Sequence, residues 1–373
     1  MASNSFGNEF RITTWGESHG NAIGVVIDGC PSGLFVDEKI INQTLALRAP
    51  GRNEAVSPRK ESDKVEILSG IFENRTTGAP ISLVIWNQDA DSSKYESIKD
   101  QLRPGHANYT YEQKYGVFDY RGGGRASARE TACRVAAGAI AQLLLDRSGI
   151  QVIAYIRSIG EIDAEISSHS MEELEQLTLE SPLFCPDPEA TQEMLKEISR
   201  VKSEGDSLGG VVEFCAAPML VGLGDPVYQK LEAQLAQAML SIPATKGFEI
   251  GDGFTLSRMR GSEANDTFQN IDGKISTRTN HAGGTLGGIS SGMPLVGRVA
   301  FKPTSSILKP QDSINHAGEA VKFQLPEGSR HDPCVAIRGV PVVQAMIRLV
   351  LADFLLRQMR VRFQKGETHD VAH

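Results

Sequence analysis

The segment 121–134, which reads Arg-Gly-Gly-Gly-Arg-Ala-Ser-Ala-Arg-Glu-Thr-Ala-Cys-Arg, constrains the fold more than any other part of the chain. Its run of glycines predicts a loop. Ser127 and Glu130 have the spacing of a capping box, which predicts that a helix begins directly after the loop. The apolar residues that follow keep helical spacing: Ala132, Val135, Ala136, Ala139, Ile140 and Leu143.

The same segment has the chemistry of an anion site. A helix N-terminus attracts anions through its unpaired N–H groups and its dipole. Arg121, Arg125 and Arg129 add fixed positive charge and forked donors suited to phosphate or carboxylate. The alternative is a solvated basic patch; the neighbouring glycines and the helix start favour the anion site.

The rest of the chain reads as alternating strands and helices. Strands are predicted in 22–36 and, paired around a Thr-Thr-Gly-Ala-Pro turn, in 64–87. Helices are predicted from Asp37, over 171–179 and 189–202, from Asp225-Pro226 and from near Pro341. The stretches 17–26 and 204–212 are alike, and each leads into a strand, a turn and a helix. The chain is predicted to be one domain over 1–373. The similarity is either chance or a sign of two related halves in that domain, near 1–200 and 201–373.

Composition excludes several classes of function. A formal net charge of -8 argues against nucleic acid or an anionic membrane as the main partner. The five cysteines form no Cys-x-x-Cys pair, which favours buried thiols over disulfides or a zinc site. No basic-then-apolar leader and no apolar run near the roughly 20 residues of a membrane span occurs. We therefore expect a cytoplasmic protein without a metal.

Two histidines follow turn residues, which would expose their rings. His19 lies in Trp-Gly-Glu-Ser-His-Gly (15–20), and His106 lies in Arg-Pro-Gly-His-Ala-Asn (103–108). A histidine near its ordinary pKa can exchange protons at physiological pH. The alternative for each is a ring that satisfies a turn carbonyl.

Three further stretches carry polar groups. The basic residues Arg48, Arg52, Arg59 and Lys60 face either the same anion or solvent. Glycines in 281–292 and the Lys-Pro-Thr-Ser-Ser run 302–306 suit the approach of a flat ligand or a phosphate, without a P-loop or a Rossmann fingerprint. Arg330-His331-Asp332 fits a proton relay or an ion pair, and a zinc site less well.

Taken together, these motifs resemble the chorismate synthase family over almost the whole chain. The matching segments, in the family's order, are GESHG at 16–20, RPGHA at 103–107, YRGGGRASARET at 120–131, NHAGGTLGGISSG at 280–292, KPTSS at 302–306 and RHDPC at 330–334. The resemblance implies an α+β fold with helices packed between antiparallel sheets and an approximate internal two-fold. It also implies a homotetramer.

The activity implied is that of a carbon–oxygen lyase. The family removes phosphate from 5-enolpyruvylshikimate 3-phosphate by anti-1,4-elimination and gives chorismate, the seventh step of the shikimate pathway towards aromatic amino acids. Reduced FMN is required although there is no net redox change. Since no long insertion marks a bifunctional type, we expect the flavin to be reduced from outside, with NADPH as the external reductant.

The resemblance also implies roles for the residues of this sequence that match the family's motifs. His19 resembles the family's general acid towards reduced flavin or a phosphate contact, and His106 the histidine that protonates the flavin near N1. Asp332 resembles the carboxylate near flavin N5, while Ser18 and Ser127 match serines that relay protons. The FMN-contacting set implied is Arg125, Ala126, Ser127, Pro243, Ala244, Gly287, Lys302, Pro303, Thr304, Ser305, Ser306 and Arg330. Arg48, Arg129 and Arg330 are the residues expected to hold the polyanionic substrate.

The chain also departs from the family pattern. Ala49 and Glu54 stand where basic residues are common, and Asn108 stands where the family has Asp. These changes bear on substrate affinity and on any nicotinamide-nucleotide contact. Two alternative functions are a phosphate-eliminating or phosphate-transferring enzyme without flavin, and a non-catalytic flavin-binding protein.

Overall fold

The computed structural model describes residues 3–49, 63–88, 93–166, 169–326, 329 and 332–361. The strands of these residues are β1 (Ser5–Phe6), β2 (Arg11–Gly16), β3 (Ala22–Asp28), β4 (Val65–Ser69), β5 (Ile71–Phe72), β6 (Arg75–Thr76), β7 (Ile81–Trp86), β8 (Gln151–Ile159), β9 (Ile162–Asp163), β10 (Gly210–Ala217), β11 (Thr245–Ile250), β12 (Phe268–Ile271), β13 (Lys274–Thr277), β14 (Thr285–Leu286), β15 (Ile289–Ser290), β16 (Leu295–Phe301), β17 (Gln311–Ile314) and β18 (Ala320–Phe323). The α-helices are α1 (Glu38–Arg48), α2 (Asn108–Tyr115), α3 (Thr131–Leu145), α4 (Met171–Glu180), α5 (Pro188–Ser203), α6 (Leu231–Leu240), α7 (Gly261–Ala264) and α8 (Val335–Gln358).

Two five-stranded antiparallel sheets form the outer layers of the core. The first has the order β1-β2-β3-β7-β4 and the second the order β11-β16-β10-β8-β9. In β16 the residues alternate between buried and half-buried, as expected for a strand with one face on the core. The central strand β3 is buried along most of its length.

Helices α3 and α8 fill the space between the sheets. They pack on each other, α3 against β3 and α8 against β8 and β10. Their contact is close because Gly138 has no side chain: a Cβ there would lie 2.5 Å from the Cβ of Ala345. Helix α8 is long and apolar enough to cross a membrane, but 89% of its most apolar window is buried between the sheets. It is the central helix of the core.

The two sheets repeat one connectivity. In the first, the chain runs through β2, β3, α1, β4, β7 and α3; in the second, through β8, β10, α6, β11, β16 and α8. Within the sheets, the order β2-β3-β7-β4 of the first corresponds to the order β8-β10-β16-β11 of the second. The similar stretches 17–26 and 204–212 lead into equivalent strands, β3 and β10. The repeated connectivity would put the change of halves near residue 150, before β8, because β8 belongs to the second sheet. The internal repeat itself stays a prediction.

Three local predictions differ from the structure. The capping box at Ser127 is only half formed: Ser127 Oγ accepts from Arg129 N at 3.3 Å, while Glu130 binds Thr14 and Arg134, and α3 begins at Thr131. The helix expected from Asp225-Pro226 begins at Leu231, after a short 3-10 turn. The last helix begins at Val335 and contains Pro341.

Candidate functional site

The first functional loop joins β2 to β3 and carries Ser18 and His19. The ring of His19 lies directly against Gly122, which has a φ of +62°. A Cβ on Gly122 would stand 2.2 Å from Cδ2 and from Nε2 of His19, and 3.1 Å from Ser18 Oγ. The glycine therefore lets the imidazole and the loop backbone meet.

The second functional loop precedes α2 and carries His106. A Cβ on Gly123, the residue next to Gly122, would stand 3.3 Å from Cε1 and from Nε2 of His106. His19 and His106 are 87 residues apart in the chain, yet they lie against adjacent glycines of one loop. The structure thus brings three of the sequence motifs together.

The run 302–306 packs against the loop that carries His106. Lys302 Nζ donates to Gly105 O at 3.0 Å, and Arg103 Nη2 donates to Ser306 Oγ at 2.9 Å. The backbone N of Lys302 donates to Ala244 O at 2.9 Å, which places the Pro243-Ala244 step beside this run. We call the group His19, His106, Gly122, Gly123 and Lys302 the histidine cluster.

The electrostatics around His106 disfavour a charged imidazole. Burial, with the positive charges of Arg103 and Lys302, lowers the pKa of His106 to about 3. His106 is therefore neutral at pH 7 in this state. Its buried Nδ1 has no hydrogen-bond partner among the described residues, and the same holds for Ser18 Oγ and Thr304 Oγ1. Buried polar atoms of this kind are normally satisfied, so they indicate room for a polar ligand.

A second group, the arginine cluster, consists of Arg48, Arg129 and Asp63. Asp63 Oδ2 accepts from Arg48 Nη1 at 2.9 Å, and its Oδ1 accepts from Arg129 Nη1. The side chain of Asp63 is fully buried, and those of the two arginines are 2% and 3% exposed. Arg48 also donates from Nε to Thr131 Oγ1 at 2.9 Å. The two arginines expected to hold substrate thus meet on one carboxylate.

Asn87 connects the two clusters. Its Oδ1 accepts from Arg129 Nε at 2.9 Å. Its Nδ2 donates to Glu17 O at 3.0 Å and to Gly20 O at 2.8 Å, on either side of Ser18 and His19. Arg129 and the His19 loop therefore share one amide, and the clusters form one continuous polar region.

A cavity borders Arg48 on the side of α8. Its lining residues are Arg48, Ala128, Thr131, Ile242, Pro243, Phe301, Val335, Arg338, Gly339 and Val342. Arg338 donates from Nε to Arg48 O at 3.3 Å, and its Nη1 lies 3.7 Å from Asp332 Oδ2. This chain of contacts links the predicted residues Asp332, Arg48 and Pro243. Arg330 and the basic residues Arg52, Arg59 and Lys60 lie outside the described residues.

Other predicted residues face elsewhere. The guanidinium of Arg125 donates to Thr14 Oγ1 at 2.9 Å and to Gly16 O at 3.2 Å, so it braces β2 and leaves only its backbone towards the loop. Ala126 N closes the glycine turn on Gly123 O at 3.0 Å. Arg121 pairs with Asp119 at the surface. Gly287 is exposed in the turn between β14 and β15.

The remaining members of the predicted cofactor set have defined places. Pro303 packs against Gly209, where a Cβ would lie 3.2 Å from its Cδ. Thr304 O accepts from Ser207 Oγ at 2.7 Å. A Cβ placed on Gly105 would stand 3.1 Å from the Cβ of Ser305. The run 302–306 is therefore held between the His106 loop and the start of β10.

The departures from the family pattern are accommodated locally. Asn108 is buried, where its Nδ2 donates to Gln101 O at 3.3 Å and its Oδ1 accepts from Arg103 N at 3.4 Å. Ala49 caps the end of α1, and Glu54 lies outside the described residues. All five cysteines are free thiols, and four are buried. In the described part of the chain no three His, Cys, Asp or Glu side chains group as metal ligands.

Sequence reasoning missed Asp63, Asn87 and Arg338. None of them lies in one of the motifs that the sequence analysis singled out. Arg338 offered one signal, since it stands in the first turn of the helix that follows the 330–334 motif.

Comparisons with known proteins agree with the geometry. The family model described as "Chorismate synthase" matches residues 10–356. A chorismate synthase of Protochlamydia amoebophila is 62% identical, over 95% of this chain and 98% of that protein. One of Methanosarcina mazei is 52% identical, over 96% and 97%. A chorismate synthase crystal structure, 33% identical, matches with a TM-score of 0.76 over 95% and 94%. The likeness confirms the predicted family resemblance and the α+β fold.

Proposed function

This chain belongs to the chorismate synthase family of the shikimate pathway, and we propose that it makes chorismate by anti-1,4-elimination of phosphate from 5-enolpyruvylshikimate 3-phosphate, with reduced FMN bound. The observation that carries the proposal is the meeting of His19 and His106 on Gly122 and Gly123. Two imidazoles at one glycine loop, beside two buried arginines, suit proton transfer next to a polyanion.

The residues present fit a flavin phosphate. Ser18 Oγ, His106 Nδ1 and Thr304 Oγ1 are buried atoms that lack a partner among the described residues. Lys302 supplies a cation near His106. When bound, reduced FMN would supply electron density to the allylic carbon from which phosphate departs, and it would take up the proton that the substrate loses. Lys302, Thr304, Ser305 and Ser306 would hold its phosphate end.

The reaction removes one proton and one phosphate from the substrate and leaves a new double bond. In our proposal Arg48 and Arg129 bind the substrate's carboxylate and phosphate oxygens, together with Arg330. His19 donates a hydrogen bond from its ring to the departing phosphate, with Ser18 beside it. Asp332, whose Oδ2 lies 3.7 Å from Arg338 Nη1, would stand beside the bound flavin, and Ser127 would relay a proton at the start of α3.

His106 acts through its protonation state. In the ligand-free state its pKa is about 3, lowered by burial and by Arg103 and Lys302. An anion bound at Lys302 would offset this positive field and raise that pKa towards its ordinary value. We infer that ligand binding lets Nδ1 of His106 take up the proton that it needs as an acid. In this proposal the imidazole of His106 is positively charged only when an anionic ligand occupies the site.

Three finer features belong to the same proposal. We infer a cytoplasmic enzyme that depends on an external reductant, with NADPH as the electron source for a separate reductase. We also infer a homotetramer. Light scattering of the purified protein tests the assembly: a mass of about four chains of 40.4 kDa is expected, and a monomer would contradict it.

The deciding experiment is an anaerobic assay. Purified protein is mixed with dithionite-reduced FMN and 5-enolpyruvylshikimate 3-phosphate, and chorismate absorbance and released phosphate are followed together. We expect equal amounts of chorismate and phosphate, and none when FMN is left oxidised.

The other outcomes identify the alternatives. Phosphate released without any flavin would favour a flavin-independent phosphate lyase or transferase. FMN binding without turnover, unchanged by His19→Ala together with His106→Ala, would favour a non-catalytic flavin-binding protein. Either result would overturn the proposal.

A further inference from the structure

We propose that Asp63 is a positioning residue for the anion site: its buried carboxylate holds Arg48 and Arg129 at the spacing at which they bind the substrate. This inference rests on the proposed function, in which these two arginines bind the polyanion. The proposal starts from one contact pattern, in which each oxygen of Asp63 accepts from a different guanidinium.

The two arginines come from separate elements. Arg48 is the last residue of α1, and Arg129 lies in the turn before α3. Arg48 donates from Nη2 to Ala128 O at 2.7 Å and from Nε to Thr131 Oγ1 at 2.9 Å, so it is tied to that turn. Arg129 is tied instead to Asn87, the residue that follows β7. Only Asp63 binds both guanidinium groups directly among the contacts described.

The position of Asp63 is fixed by the strand that follows it. It stands two residues before β4, and Val65 N, the first residue of that strand, donates to Asn42 Oδ1 of α1 at 2.9 Å. With a fully buried side chain, its carboxylate cannot exchange partners with water. The backbone of β4 therefore sets the position of the carboxylate, and the carboxylate sets the positions of the arginines.

The electrostatic reason for such a group is the repulsion between two buried guanidinium ions. Two like charges close together in a buried site repel strongly, because the local dielectric constant is low. A carboxylate between them leaves a net charge of one and gives each fork a fixed acceptor. The arginines can then stay side by side before the substrate arrives, which lowers the ordering cost of binding.

Asp63→Asn separates this role from general packing. Asparagine keeps the size of the side chain, but it replaces one acceptor oxygen by an N–H₂ donor that faces a guanidinium donor. Either Arg48 or Arg129 must then move its guanidinium away from the side chain at position 63. We expect the KM for 5-enolpyruvylshikimate 3-phosphate to rise about 10- to 100-fold, as for the loss of one partner in a buried charged pair. We expect kcat and FMN affinity to change by less than about threefold.

The matched control is Asp28→Asn. Asp28 pairs with Arg11 across β2 and β3 at 3.3 Å, but both side chains are substantially exposed, at 36% and 53%. Losing this pair should leave KM, kcat and FMN affinity unchanged, because exposed ion pairs contribute little. An equal rise in KM in both variants would mean a general effect of losing an aspartate.

A double-mutant cycle keeps the test decisive if Asp63→Asn alone does not fold. Asp63→Asn combined with Arg48→Gln restores the net charge of the cluster to one. If Asp63 acts through Arg48, Asp63→Asn should raise the KM by clearly less in the Arg48→Gln background than in the parent. If the single variant Asp63→Asn is unfolded, the double variant should fold and have the KM of Arg48→Gln. Additive effects would contradict the proposal.

Two results would overturn it directly. A KM for Asp63→Asn within about threefold of the parent, in folded protein, would show that the arginines need no carboxylate. A lower KM would show that Asp63 competes with the substrate rather than preparing its site. Failure of the proposed function is distinct, since in that case the parent protein itself forms no chorismate.

Discussion

The imidazole of His19 lies directly against Gly122, and a side chain at that glycine would occupy the space of the ring. The backbone there is left-handed, with a φ of +62°, and a Cβ would stand 2.2 Å from two ring atoms. Gly122→Ala should therefore displace His19. We expect kcat for chorismate formation to fall about 100-fold or more, since a displacement of about 1 Å in a site has that effect.

Gly149→Ala is the matched control for backbone strain. Gly149 has a φ of +69°, but a Cβ there meets nothing within 4 Å. The change should cost about 1 kcal/mol of unfolding free energy through the left-handed backbone and leave kcat unaltered. Urea unfolding and steady-state assays of both variants separate strain from displacement; an unaltered kcat in Gly122→Ala would contradict a role for the position of His19.

The elements that the sequence predicted well have local signals. Helix α3 follows its apolar periodicity, and the pair β4 and β7 follows two apolar runs about a turn. The capping box is only half formed because Glu130 has other partners. Its carboxylate accepts from Thr14 Oγ1 of β2 at 3.2 Å and from Arg134 of α3, so it does not return to Ser127.

In the site, too, residues in local sequence motifs could be predicted, and residues that act through distant parts of the chain could not. Loops with histidine among glycines could be recognised from the sequence, and they do meet at Gly122 and Gly123. Asp63 and Asn87 could not be recognised, because each matters only through partners that folding brings near. In the sequence, Asp63 is 66 residues from Arg129, and Asn87 is 42 residues from Arg129. Arg125 shows the converse, since a motif arginine turned out to brace β2.

The protonation of His106 gives a prediction about pH. Because burial and two cations lower its pKa to about 3, its ring should stay neutral from pH 8 down to pH 5. In histidine NMR of the ligand-free protein, the His106 signal should show no titration in that range. Lys302→Met removes one of the two cations, so the pKa should rise from about 3 while remaining below the ordinary value. Signals are assigned with His106→Ala.

Lys322→Met provides the comparison for Lys302→Met. Lys322 is 71% exposed and pairs with Asp312 on the β17–β18 hairpin. Its loss should leave the His106 signal unmoved. A His106 ring that already titrates near pH 6.5 in the parent would mean that the loop is more open to solvent than the structure shows.

His106→Ala tests the catalytic assignment itself. In the proposal this ring transfers a proton once ligand is bound, so its loss should lower kcat about 10²- to 10⁴-fold, as for a lost proton-transfer group. FMN should still bind, because Lys302 and the run 302–306 remain. Flavin fluorescence measures binding and the anaerobic assay measures kcat. Loss of FMN binding with an unchanged kcat at saturating FMN would assign the ring to binding alone.

Arg129→Ala tests the substrate contact. Arg129 is buried and shares Asp63 with Arg48, so its removal takes away a charge-assisted donor and leaves one oxygen of Asp63 without its guanidinium. We expect a loss of about 2–4 kcal/mol in transition-state binding, seen mainly as a higher KM. Arg129→Lys keeps the charge but not the fork, and should recover only part of the loss. A change in KM below about threefold for Arg129→Ala would remove this residue from the substrate site, because a buried guanidinium that binds the polyanion cannot be lost at so small a cost.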